Sequence, residues 1–347
     1  MSGVMAERFI AIDNVCAWPN MTRLDDDELV VAIYNRPVHG RWYGDIEVWG
    51  SDDGGRLWRR RGIAAPGEPP GNRMNVAAGR AADGDLLVIA SGWTPVLEPG
   101  TDDPQFAFGQ RQVIEPRVCR SGDGGRTWQR ADSVQLPDTG QQWYIPFGDI
   151  VSGDQGLAVS FYSASPDGSA TAAAGAANTA WFVRSSDDGA TWGDASIIAA
   201  HDYNETDLLH LGAARWLAVC RTLTDGHLQL FASDDDGHTW MDRGPVSLPG
   251  QHPAHLTRLA DGRLLLSYGL RNQGLHGVAV RLSDDDGRTW QAPRTLINLS
   301  PTSTDCGYPT SAQLTDGTVV TAYYSRGIAE HGRYHMGIVR WTVPTAD

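Results

Sequence analysis

Four arginines stand at the ends of similar apolar runs: VVAIYNR closes on Arg36, WLAVCR on Arg221, LLLSYGLR on Arg271 and VVTAYYSR on Arg326. Arginine presents a planar fork of donors suited to bidentate clamps on carboxylates and hydroxyl-rich ligands. One such residue is an ordinary rim charge. Four at one recurring position imply a funnel for an anion or a polyol, provided the runs are equivalent pieces of one repeating architecture. The stretch after the first run, RPVHGRWYGD, adds two proton carriers, His39 and Asp45.

The repeats supply that architecture. An octapeptide S-x-D-x-G-x-T-W begins at Ser51, Ser121, Ser185, Ser233 and Ser283, in steps of 70, 64, 48 and 50 residues. Only the first copy departs, with Leu57 in place of threonine. The motif reads as a hairpin turn: Asp bonds back to loop amides, Gly takes positive φ, and Thr-Trp starts the next strand. A second element, strand–turn–strand, occurs six times, as in PNMTRLDDDELVVAIYNR and YPTSAQLTDGTVVTAYYSR. Repeats near 50 residues with strand-like flanks mean a propeller or a similar array. We therefore expect an all-β chain, one six-bladed β-propeller domain over residues 1–347 with blades starting near 18, 73, 144, 204, 253 and 308. The spare segment RFIAIDNV is expected to supply the strand that closes the ring.

Strand direction alternates within a blade. With the octapeptide turns on one face, the opposite face gathers Trp18, Arg73, Tyr144, Glu205, His252 and Tyr308 at first-strand starts. Arg36, Trp93, Arg221, Arg271 and Arg326 join them at second-strand ends. The Gly-, Ala-, Ser- and Pro-rich stretches TPVLEPGTDDPQFAFGQRQ and SASPDGSATAAAGAAN are expected to stand over this face as a lid.

Composition narrows the function classes. The 347 residues carry a formal net charge of -14, which argues against nucleic acid or an anionic membrane as partner. Hydrophobic residues at 41% suffice for a packed core. Cys16, Cys119, Cys220 and Cys306 lack metal-site or disulfide-framework spacing and read as reduced, buried thiols. No metal or cofactor is implied. The start lacks a basic, then apolar leader, so a cytoplasmic location is expected. Oligomeric state is left open.

Five octapeptides on six such units resemble the Asp boxes of the sialidase (neuraminidase) superfamily, over roughly residues 15–345. In that family the boxes lie opposite the active site, so Asp53, Asp123, Asp187, Asp235 and Asp285 are structural. The resemblance implies a Tyr308–Glu205 nucleophile pair: CGYPTSAQLTDGTVV places the tyrosine on the last blade, and NETDLLHLGAARWLAVCR places the glutamate sixteen residues before Arg221. It makes Arg221 and Arg271 two members of an arginine triad. A neutral tyrosine is a weak nucleophile, and an adjacent carboxylate can take its proton as the bond forms. The chemistry implied is retaining exo-glycoside hydrolysis of a terminal, acidic sugar on an oligosaccharide or glycoconjugate.

Two departures accompany the resemblance. The family's first-blade R-I-P aligns with Ala17-Trp18-Pro19, so the first clamp arginine is missing, and Tyr324 stands where its supporting glutamate would be. Arg36, Arg73 or Arg326 is expected to substitute, with His39 and Asp305 among the substrate-binding residues. The acid/base lies between Asp45, which keeps the chemical type, and His39, which keeps the position; Asp45 is preferred. The alternatives are a sialidase-fold enzyme of other chemistry, such as an α-rhamnosidase or a polysaccharide lyase using His39 or His255, and a non-catalytic glycan- or protein-binding propeller.

Overall fold

The structure is a computed structural model that describes residues 6–40, 42–95, 111–136, 143–164, 178–299 and 303–344. Each strand–turn–strand unit opens with an innermost strand: Cys16–Arg23, Asn75–Arg80, Trp143–Gly153, Tyr203–Gly212, Ala254–Arg258 and Cys306–Gln313. Each of these is the edge of a group of four strands, and each packs against the first strand of the next group, the sixth returning to the first. The arrangement is all-β and propeller-like. The second and third groups merge into one eight-stranded sheet through a parallel bridge of Gly148–Ile150 with Ala77–Gly79.

Burial explains why the strand sequences read as apolar runs rather than alternating patterns. Second strands lie between neighbouring sheets and are covered on both faces, so Leu29–Tyr34 (LVVAIY) is buried at every position. Fourth strands form the rim, and Met241–Pro245 is mostly exposed. The ring is closed by the N-terminal strand. Glu7–Asp13 pairs antiparallel with His335–Thr342, with Glu7 opposite Arg340 and Asp13 opposite His335. All four cysteines are free and buried.

The boxes are local hydrogen-bond devices. In each, the Asp Oδ1 accepts the amide four residues on, from Leu57, Thr127, Thr191, Thr239 and Thr289 at 2.8–2.9 Å. The serine hydroxyl donates to the same oxygen and accepts the amide of the glycine four residues later. The turn needs two successive left-handed residues. They are Gly54-Gly55 and Gly124-Gly125 in the first two boxes and Asp188-Gly189, Asp236-Gly237 and Asp286-Gly287 in the rest. Asp tolerates that region better than most side chains, and Gly adopts it freely.

Four boxes add a threonine hydroxyl bond to the Asp Oδ2 at 2.6 Å. In the first box that position is Leu57, 62% exposed and unable to donate. Leu57→Thr restores the bond and removes exposed apolar surface. It is expected to raise stability by about 0.5–1 kcal/mol, read as a higher melting temperature. A lower one would show that the first box differs in more than this side chain.

Candidate active site

The site is assembled where the innermost strands leave their ladders. Between Cys16 and Asn20 four steps of chain oppose two steps of the partner strand, and the same holds between Phe147 and Val151. Between Tyr203 and Thr206, and between Gly307 and Thr310, three steps oppose two. These bulges hold Ala17-Trp18-Pro19, Gly148-Asp149-Ile150, Asn204-Glu205 and Tyr308-Pro309. A bulge frees the inserted residues from pairing with the second strand of their own sheet and re-aims their side chains. At the last one Gly307 has φ 95° and Tyr308 φ 49°, a conformation an L-residue holds only when its surroundings impose it.

The surroundings of Tyr308 do so. Its ring lies against Trp18 at 4.7 Å with a 13° interplanar angle, is edged by Phe147 at 6.0 Å, and is capped by the Arg271 guanidinium 5.1 Å from its centroid. Its hydroxyl donates to Glu205 Oε1. Arg221 donates to the other carboxylate oxygen at 2.6 Å and approaches the phenol oxygen at 3.5 Å. Burial, then the Glu205 charge, pushes the phenol pKa well above its usual value, against the opposing pull of the two arginines. Tyr308 is therefore neutral, already hydrogen-bonded to the group that would take its proton.

Arg271 is braced by a bond to the Cys306 carbonyl at 3.2 Å. Beside the two guanidinium groups stands His252, on the face expected for a first-strand start. Burial, then Arg221 and Arg271, drives its pKa down to about 2, so it is a neutral imidazole. Trp18 Nε1, His252 Nδ1, Arg221 Nε and Arg271 Nε are buried without a hydrogen-bond partner.

His39 comes to the same place from the loop after the second strand of the first sheet. Its ring meets Trp18 edge-on at 5.1 Å, and its Nδ1 lies 3.0 Å from Asp305 Oδ1. Tyr324 and Tyr334 donate their hydroxyls to the two oxygens of Asp305. Burial opposes the Asp305 charge, but the His39 contact and the two tyrosines outweigh it and hold the carboxyl well below the usual range. The ionised acceptor selects the His39 tautomer with a proton on Nδ1, leaving Nε2 as the second working nitrogen.

Other expected members stand elsewhere. Arg73 is 2% exposed and bonded to both Glu68 oxygens at 3.0 and 2.8 Å and to the carbonyls of Ala90 and Glu115, a structural knot rather than a substitute clamp. Arg36 donates to the Tyr43 carbonyl, within its own loop. Arg326 is exposed; its amide donates to the Asp305 carbonyl, and among the described residues its guanidinium holds no group of the Tyr308 cluster. Asp45 has one carboxylate oxygen on the Gly67 amide at 2.8 Å and the other on Asn35 at 3.0 Å, which ties down the loop entering the second sheet. The two stretches expected as a lid fall largely outside the described residues. Among the described residues, no group of three or more His, Cys, Asp or Glu side chains is arranged to hold a metal ion.

The BNR repeat-like domain model matches residues 43–321. The chain belongs to this family, within the sialidase superfamily. A sialidase from Micromonospora viridifaciens is 26% identical over 346 residues, covering 88% of this chain and 49% of that protein, so the chain spans about half its length. Among solved structures, a Dyadobacter fermentans protein of unknown function superposes with a TM-score of 0.79 at 23% identity, over 99% of this chain and 100% of that one. Trypanosoma rangeli sialidase in complex with the inhibitor DANA gives 0.69 at 13% identity, over 96% and 59%. These structural likenesses speak for the fold. Within the BNR family frame, the paired Glu205 and Arg221 yield a direct test. Glu205→Ala strands a buried guanidinium and is expected to cost about 3 kcal/mol in denaturant unfolding, whereas Tyr308→Phe, which leaves the pair intact, costs less than about 1 kcal/mol. Equal losses would mean that the pair is not the unit that matters.

Proposed function

We propose that the protein is a six-bladed propeller enzyme, a retaining exo-glycosidase that removes a terminal acidic sugar from an oligosaccharide or glycoconjugate. The observation that carries this is the Tyr308 hydroxyl donating to a Glu205 carboxylate clasped by Arg221. In the first step the Tyr308 oxygen bonds to the anomeric carbon while Glu205 takes the phenolic proton, and the glycosidic oxygen leaves with a proton from a general acid. In the second step that group, now a base, deprotonates water, which attacks the same carbon. Tyr308 departs and recovers its proton from Glu205, and two inversions give net retention. A neutral attacker suits an anomeric centre beside a carboxylate, which would repel an anionic one.

For the general acid, geometry favours His39 over Asp45. His39 is one ring from Tyr308 through Trp18, and Asp305 holds its Nδ1, whereas the two Asp45 carboxylate oxygens are engaged by the Gly67 amide and by Asn35. Arg221, Arg271 and neutral His252 form the recognition side. With Arg73 occupied and Ala17 in the first clamp position, two arginines rather than three meet the substrate's acid group. Sialoside turnover is therefore expected with weak affinity. The same feature supports a second reading, hydrolysis of a neutral terminal sugar on this scaffold.

The deciding assay compares a fluorogenic sialoside with neutral α-glycosides. Turnover of the sialoside with a high KM supports the acidic-sugar reading; turnover of the neutral sugars alone overturns it. His39→Ala should cost about 10²–10⁴-fold on an alkyl-type leaving group, which needs protonation, and far less on an aryl leaving group, which does not. A loss of that size in Asp45→Asn, with His39→Ala unaffected, would return the role to Asp45.

A further inference from the structure

The N-terminal strand does more than close the ring. Its last residue, Asp13, receives His331 Nε2 at 2.7 Å on one carboxylate oxygen and the Arg333 guanidinium on the other. The next residue, Asn14, donates its amide to the Tyr334 carbonyl at 2.9 Å. Residues 326–334 are the connection between the second and third strands of the last sheet, so one short segment grips this connection at three points. Tyr334 then donates its hydroxyl to Asp305, which holds His39. The chain of contacts runs from the ring closure to the imidazole through side chains and backbone, each link a hydrogen bond.

We propose that Asp13 and Tyr334 are positioning residues for His39, so that the ring-closing strand also sets the proton donor of the site. This rests on the role given to His39 above. The opposite end of the same strand provides the contrast: Glu7 pairs with Arg340 and Arg56 on the box face, closing the ring with no link to Asp305. A purely structural strand would make the two ends equivalent.

The charged and titratable groups around this assembly set the sign of the effect. Asp305 faces His39, with the Tyr324 and Tyr334 hydroxyls and the Cys16 thiol about it, and with Arg271 acting on Tyr324 and Arg326 on Tyr334. Each hydroxyl that donates to Asp305 takes a share of its charge. Removing one leaves more for the imidazolium.

The test follows the pH midpoint of the His39 imidazole by NMR in the full chain, which needs no substrate and so reads out even where the proposed hydrolysis fails. Tyr334→Phe is expected to move the midpoint upward by about half a pH unit. Asp13→Ala moves it the same way by less, because its ion pairs are partly exposed and individually weak. Glu7→Gln leaves it in place, and Asp305→Asn moves it downward. Where hydrolysis is measurable, the alkaline limb of kcat/KM follows the same order. If Tyr334→Phe does not fold, Tyr324→Phe removes the other hydroxyl and carries the same expectation. No upward movement in either tyrosine variant, or a movement in Glu7→Gln equal to that in Asp13→Ala, overturns the proposal.

Discussion

Six innermost strands crowd one axis, where many of their polar groups are wholly or largely buried. The structure meets this constraint with buried bonds that cross between strands. Asn20 donates to the Gly148 carbonyl at 3.1 Å and the Val76 carbonyl at 3.4 Å, joining the first, second and third strands. The Met21 amide donates to Thr310 Oγ1 at 3.2 Å, joining first and sixth. Asp207 accepts the amides of Asp149 and Leu256, joining third, fourth and fifth, and Thr257 donates to the Ser311 carbonyl, joining fifth and sixth. Beneath Tyr308, His255 Nε2 lies 3.2 Å from Asp149 Oδ2. Burial opposes the His255 charge, but Asp149 and then Asp207 outweigh it and push its pKa up to about 9. Burial, then Asp149, pushes the Asp207 carboxyl up in turn. An unpaired member of such a network would cost several kcal/mol, so the set favours one relative placement of the six strands. Tyr308 and Glu205 meet only because their strands are held in that placement.

Above the axis the charges are concentrated rather than spread. A chain of net charge -14 gathers Arg221 and Arg271 in one buried place, with a single carboxylate, Glu205, bonded to the first of them. Asp305 adds a second carboxylate from the His39 side, so the two guanidinium groups are held in a dense array of opposite charges within an acidic body. The same two guanidinium groups keep His252 neutral. It stands beside them as a dipole rather than a third charge.

The boxes were legible because their chemistry is local: each bond lies within eight consecutive residues, and the Ser, Asp, Gly and Thr types at fixed offsets imply it. Tyr308, Glu205, Arg221 and Arg271 were reachable because motif and repeat position agreed on them, and the structure brings all four together. Arg73 and Asp45 are bonded apart from these four, because repeat position says where a side chain begins and not where it ends. Glu68, five residues before Arg73, was the one sequence signal that the guanidinium would be taken. The surroundings of Asp305 had no local signal at all, since His39, Tyr324 and Tyr334 reach it from separate elements. The neutrality of His252 arises likewise from arginines on other strands.

The bulges carry a consequence for how this fold diversifies. Residues 17–19, 204–205 and 308–309 lie inside interruptions of the ladder, and the flanking pairs, such as Cys16 with Tyr34 and Asn20 with Ala32, continue the sheet around them. Their identities are thus separated from the pairing that holds each sheet. A different side chain can stand at residues 17–19 with the neighbouring strand register intact. A lineage built on this scaffold can vary the groups presented at these few positions while the ring itself stays the same.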